Sequence, residues 1–384
     1  MQRFTDSKIQ AMILICLSFF VSSCGTDGMT DNFFGKKTNE LPVASAGAWK
    51  TINDNDYFRY EMKSPSGALD ILVPYLAFID VINFNKVSVM KYDEYEWKFL
   101  GPTNAVSPEN ASYLSFLIYR HDPYIAYCDG SNENRLTVLR FNGEQWTNMG
   151  QQHISPGKAS YSAIAIDNTI EMFAAFCDGT DNDRTAVMRY YAGIWQRLGD
   201  KVSTGSSSNV TLAVYDGVPY VAYVDKAAGG KIRAHKYNGL SAKWESIGNT
   251  WVAGDYSNYP SIKVSDGTPY LAFTDGPNDS RAAVMKYNGT AWENVGKPWV
   301  SAGPSTYTDL FIFNGTPYLT FCDHTSGQRA AAVKFDGTWK NIGYDMPSPD
   351  KASDMFIRVS DHAMPYAGYI DKTDKNKLVF RRFE

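Results

Sequence analysis

The stretch Pro269-Tyr270-Leu271-Ala272-Phe273-Thr274-Asp275 decides the fold: it is nearly all apolar and closes on a carboxylate. A short continuous apolar run reads as a strand covered on both faces. Upstream, Ser261-Ile262-Lys263-Val264 alternates as a first strand, and Asp266-Gly267 joins the two as a tight hairpin. Downstream, Ala282 to Tyr287 makes a third strand, Asn288-Gly289 turns the chain, and Ala291-Trp292-Glu293-Asn294-Val295 is a fourth. This segment therefore spells a four-stranded antiparallel meander.

The same phrase recurs along the 384 residues, with closing aspartates at Asp80, Asp129, Asp178, Asp225, Asp275, Asp323 and Asp371, a period of 47 to 50. A second mark recurs as Trp49, Trp97, Trp146, Trp195, Trp244, Trp292 and Trp339. Self-similarity at this period means a propeller, a solenoid or an array. The phase of the two marks chooses among them. The seventh repeat stops at Glu384 without its tryptophan strand, and a surplus copy, Ala48-Trp49-Lys50-Thr51-Ile52, stands before the first repeat. An open solenoid needs caps, whereas a ring lets the N-terminal strand complete the last blade. The expectation is an all-β, seven-bladed β-propeller over residues 46–384, built of four-stranded antiparallel blades and closed by that strand.

Within each second strand, aromatics stand five and two residues before the aspartate, for example Tyr270 and Phe273. An odd separation sends them to opposite faces, so every blade offers a ring to both neighbours. A basic residue lies six after each aspartate (Lys86, Arg135, Arg184, Lys231, Arg281, Arg329, Lys377), which predicts an ion pair or a turn-closing hydrogen bond across the hairpin between strands two and three. One carboxylate per blade cannot converge as a metal cage or an acid/base pair requires. Cys128, Cys177 and Cys322 each precede a repeat aspartate. Equivalent positions on different blades lie beyond the Cα separation of about 7 Å that a disulfide needs, so these read as buried free thiols. The five histidines share no repeat register, and neither a metal site nor a cofactor is predicted.

The net charge of −4 is mild and Lys and Arg are distributed by repeat, which argues against a nucleic-acid partner. At the N-terminus, Arg3 and Lys8 precede an apolar run from Ala11 to Val21, too short for a membrane span and suited to a signal-peptide core. Val21-Ser22-Ser23-Cys24 resembles the lipobox of bacterial lipoproteins. That resemblance implies a signal peptide over 1–23, lipidation of Cys24, a flexible tether over 24–45 and membrane attachment through the lipid. Gly25, where an inner-membrane retention signal has Asp, points to the outer membrane of a bacterial envelope.

The Gly-x-x-Trp segments after the third strand (Gly143 to Trp146, Gly289 to Trp292) resemble the repeats of secreted bacterial propellers and of propeller lectins, and faintly the Asp-box of sialidases. The full Asp-box is absent. A sialidase would imply a Tyr/Glu nucleophile pair, an Asp acid and three converging arginines, but Arg59, Arg120, Arg197, Arg233 and Arg358 fall at unrelated repeat positions. No Ser/His/Asp or Cys/His constellation, phosphate loop or metal-spaced His cluster is present, and no catalytic residue is assigned. In a meander propeller the two-three loops and the blade connections share one face, and long loops on a rigid scaffold are where binding residues go. The connections into the fifth and sixth repeats carry Trp251, Tyr256, Tyr259, Trp299 and Tyr307, amphipathic rings suited to glycan or protein contact. The reading is a surface-anchored, non-catalytic propeller binding a glycan or a protein on that face. The alternatives are a glycan-cleaving enzyme using the same face, or a structural subunit of an outer-membrane complex.

Overall fold

The computed structural model describes residues 43–52, 58, 60–101, 104–248 and 251–384. Seven four-stranded antiparallel sheets span residues 62–99, 111–148, 159–197, 207–246, 258–294, 305–342 and 352–383, the last taking its fourth strand from Trp49–Thr51. These are blades 1 to 7. The first strand of each blade packs beside the first strands of both neighbours, blade 7 beside blade 1 included, so the seven form a closed ring about an axis. The chain is a seven-bladed β-propeller.

Closure runs through the N-terminal strand. Trp49 pairs with Phe383, Lys50 with Arg382 and Thr51 with Arg381. Ala48 and Glu384 exchange backbone hydrogen bonds of 2.8 and 3.1 Å, so both ends of the ring meet in one hairpin-like corner. Residues 43–45, assigned to the tether from sequence, form a further strand, Val43–Ser45, parallel to Trp339–Ile342 of blade 6. The N-terminal segment therefore clasps two blades. Cys24 and the expected signal segment lie outside the described residues.

Each recurring tryptophan latches its blade to the preceding one. The seven indole N–H groups donate to the carbonyls of Ile342, Ile52, Leu100, Met149, Leu198, Ile247 and Val295 in turn, at 2.7 to 3.3 Å. A buried indole needs such a partner, and a buried carbonyl past a strand end needs a donor. The two second-strand aromatics separate as the odd spacing requires: Tyr124 enters the core between blades 2 and 3, while Tyr127 enters the core between blades 1 and 2. A recurring serine went unread in the sequence. The hydroxyls of Ser107, Ser155, Ser203, Ser301 and Ser348 accept from the N–H of the second residue of a third strand and donate to the carbonyl two residues on, pinning five blade connections.

Turn chemistry differs between the two hairpins of a blade. Asp266-Gly267, Asp216-Gly217 and Asn314-Gly315 have both residues at positive φ, the mirror-image turn that suits twisted strands. At Asn142-Gly143 only the glycine is left-handed. There the Asn142 side chain accepts from the N–H groups of Glu144 and Gln145, and Asn288 does the same for Thr290 and Ala291. These are longer turns organised by the asparagine side chain.

Cys128, Cys177 and Cys322 are unpaired and buried. Burial pushes the Cys128 thiol up to about 12 and the Cys177 thiol up to about 11. Both are inert small apolar groups at neutral pH.

Candidate functional site

Every first strand carries a β-bulge near its start: the register with the second strand slips between Lys63 and Ser66, Ser112 and Ser115, Ser160 and Ala163, Ser208 and Thr211, Asn258 and Ser261, Thr306 and Asp309, and Ser353 and Phe356. Within each bulge one residue is left-handed: Ser64, Tyr113, Tyr161, Asn209, Tyr259, Tyr307 and Asp354, with φ between 47 and 56. Among residues with a side chain, asparagine and aspartate enter that region most readily. Four tyrosines there each cost about 1–2 kcal/mol relative to glycine, so the side chains, not the backbone bend alone, account for their presence. Bulges re-aim side chains, and these seven lie at the start of the innermost strands, the end of each blade where the recurring aspartates and the long loops also sit.

The bulge residues touch across blades. Tyr113 and Tyr161 have ring centroids 4.8 Å apart, and Tyr259 and Tyr307 are 5.0 Å apart. Asn209 donates to Asn258 Oδ1 at 2.5 Å, and Asn258 Oδ1 also accepts from the Tyr259 N–H at 2.8 Å. Burial, then the Asp354 carboxylate, pushes the Tyr307 phenol up to about 12, and the same two causes raise Tyr259. Both phenols are protonated at neutral pH and serve as hydrogen-bond donors rather than bases. The Lys226 ammonium lies 5.8 Å from the Tyr161 ring centroid. Tyr113 is 39% exposed and the other three tyrosines are half-buried, so part of each side chain stays accessible at the rim.

Deeper along the axis, the inner edges are stitched together. Ser115, Ser261 and Asp309 accept the backbone N–H of Ile164, Leu310 and Ile357 on the next blade at 3.0 to 3.1 Å. At the seam of blades 7 and 1 the equivalent residue is Phe356. There Arg358 donates to the Gly67 carbonyl at 2.7 Å and to Asp309 at 2.8 Å. The Lys263 ammonium lies near the same carboxylate, and burial pulls its pKa down.

Of the residues singled out from sequence, the fold brings Tyr259 and Tyr307 together at the axial rim. Trp251 and Trp299 occupy equivalent connection positions two strands farther out, on the third strands of blades 4 and 5, roughly 10 Å from the inner strand by strand spacing. Lys231 and Arg233 lie over the Trp251 ring at 4.1 and 4.6 Å. Trp299 donates to Asp275 at 3.2 Å beneath Arg281, and walls a shallow cavity of 370 Å³ with Pro277 and Asn278. Tyr256 is 83% exposed on the connection into blade 5, its N–H bonded to the Gly229 carbonyl. Tyr113 and Tyr161 were missed. Their signal was a Ser/Thr/Asn-Tyr pair whose tyrosine lies sixteen or seventeen residues before the aspartate, in four of seven repeats.

The aspartate register serves the blade. Asp129, Asp178, Asp323 and Asp371 accept from the N–H two residues on, closing a five-residue loop as expected. The predicted ion pair to the residue six on gives way to other partners: Arg135, Arg184, Lys231 and Lys377 pair with Glu133, Asp181, Asp255 and Asp374. In blades 3 and 4 the repeat aspartates are reached instead by Arg197, which bonds Asp178 at 3.0 Å, and Arg233, which bonds Asp225 at 2.5 Å. Arg197, Arg233 and Arg358 thus pair with three different carboxylates and do not converge. Among the described residues no group of three His, Cys, Asp or Glu could hold a metal ion.

No family model matches the chain, and no curated protein matches it. Among solved structures it is similar to a polysaccharide lyase, an ulvan lyase bound to a GlcA(1-4)Rha3S saccharide, at 11% identity and TM-score 0.55, covering 84% of this chain and 93% of that one. It is also similar to a six-bladed fucose-recognising lectin of the fungus Aleuria aurantia, at 13% identity and TM-score 0.51, covering 76% of this chain and 99% of that one. The likeness is one of fold.

Proposed function

We propose that this propeller is a non-catalytic glycan-binding protein whose site is the axial rim of the long-loop face, held at a bacterial outer membrane by a lipid on Cys24. The observation that carries the reading is the set of four tyrosines in left-handed bulges around the axis. Half-exposed aromatic faces stack against the apolar faces of sugar rings, while protonated phenols, Asn209 and Asp354 supply donors and acceptors for hydroxyls. Four bulky rings held in a conformation that costs them more than it would cost glycine, asparagine or aspartate support a role in contact. The lyase and lectin similarities add that this architecture accommodates saccharides in other proteins.

Binding of the full chain to a glycan array, with assays for released sugar and for unsaturated product in parallel, tests the reading. Specific binding without turnover, weakened in Tyr259→Ala/Tyr307→Ala while the melting temperature holds, is the expected result. Turnover would move the protein to the glycan-cleaving class. Retained affinity in the double variant would put the site elsewhere. For the anchor, Cys24→Ser is expected to leave the membrane fraction, and persistence there after a high-salt wash would remove the lipid assignment.

A further inference from the structure

The four rim tyrosines form two pairs with the same wiring. Tyr113 and Tyr161 meet at an interplanar angle of 47°, Tyr259 and Tyr307 at 45°. In each pair the carbonyl of the first tyrosine accepts from the hydroxyl that follows the second, Ser162 on Tyr113 and Thr308 on Tyr259. One pair bridges blades 2 and 3, the other blades 5 and 6, so they stand three blades of seven apart, nearly opposite across the axis. The equivalent positions on the remaining blades are Asn209, Asp354 and Ser64, none with a ring, and all short and polar. At this tier the ring of seven thus carries two aromatic platforms separated by hydrogen-bonding residues.

We propose that the two tyrosine pairs are twin subsites of one site, and that its ligand is a linear oligosaccharide lying across the axis with a sugar ring on each pair. This deepens the glycan reading and rests on it. Duplicated wiring matters because one stacking surface, with its carbonyl tied to a neighbouring hydroxyl, is built twice from different residues of the same chain. A monosaccharide can use one platform at a time. A chain long enough to reach the second engages it intramolecularly, and affinity then climbs by about 100-fold or more without any new kind of contact. The polar arcs at Asn209 and at Asp354 with Ser64 would meet the hydroxyls of the sugars between the two stacked rings.

The test titrates the full chain with ladders of cello-, xylo-, chito- and galacturonate oligosaccharides, from monosaccharide to octasaccharide. In the ladder that binds, affinity is expected to rise steeply at one length and then level off. Removing either pair, as Tyr113→Ala/Tyr161→Ala or as Tyr259→Ala/Tyr307→Ala, is expected to drop long chains to the affinity of short ones and to flatten the length dependence. The corresponding Tyr→Phe pairs keep the ring faces and are expected to retain the length dependence, and melting curves show that each variant is folded. Affinity independent of length, or loss from one pair only, would overturn the twin subsites and leave the glycan reading standing. Absence of binding by every ladder together with a silent array would remove both.

Discussion

At Tyr259 the backbone is left-handed, with φ at 50, although a glycine would take that conformation without steric cost. The opposite economy holds at Gly368 and Gly67, where a Cβ would lie 2.1 Å from the Phe356 ring. Five other blades have alanine at the Gly368 position, and their first strands carry a small residue where blade 7 has Phe356. Gly368→Ala is expected to cost about 1–3 kcal/mol by overpacking, and Phe356→Ser in the same chain to recover part of it; additive losses in urea unfolding would break the link. His235 offers a pH test. Its ring stacks on Tyr223 at 5.7 Å, Nε2 faces Ser246 at 3.2 Å, and Nδ1 has no partner. Burial, then Arg233, holds its pKa down to about 4 despite the Asp225 carboxylate. From about pH 6.5 down to about 4 the unfolded chain takes up a proton that the folded chain refuses, so stability falls by roughly 3 kcal/mol across that window. His235→Phe is expected to flatten that part of the stability profile, and an unchanged slope would assign it to other groups.

The elements divide the work. Second strands, apolar on both faces, fill the seams; fourth strands carry the tryptophan latches; first strands carry the bulges. The strand Trp49–Thr51 holds two of the seven latches at once, since Trp49 donates to Ile342 and the Ile52 carbonyl just past its end accepts from Trp97. Deleting residues 1–42 is expected to leave the melting temperature unchanged. Deleting 1–52 removes a buried tryptophan and bares the Lys377–Phe383 edge, at a cost of about 5 kcal/mol or more, with aggregation through the open edge. Equal melting temperatures would dissolve the closure argument. The boundary was legible because the surplus tryptophan phrase precedes the first aspartate. The companion strand Val43–Ser45 was not, since three residues paired in parallel to another blade leave no periodic trace.

For the whole ring, covalent order matters less than cyclic order. Glu384 and Ala48 already exchange two backbone bonds, so a permuted chain in which residues 46–52 follow Glu384 through a short glycine linker rebuilds in blade 7 the hairpin that the other blades have. Such a permutant, beginning at residue 58, is expected to melt at or above the temperature of the parent, because the last strand no longer has to be recruited from the far end of the chain. A melting temperature well below that of the parent would mean that the segment across blades 6 and 7 acts as a clasp that must be threaded rather than merely present.

The sequence by itself determined the number of blades, their strand order and the closing strand, because those follow from the period of apolar runs, turn residues and tryptophans, which are local and repeated. It also determined that Cys128, Cys177 and Cys322 pack as isolated thiols, since equivalent positions on different blades cannot meet. Tertiary structure alone decided which aromatics gather at the axis. Tyr259, Tyr307, Trp251 and Trp299 are alike in a linear reading, but a bulge on an inner strand turns the tyrosines toward the rim, while the connection path lays the tryptophans on third strands under Lys231, Arg233 and Arg281. A bulge is a slip of register between two strands, set by pairing across the sheet, and no single strand's pattern contains it.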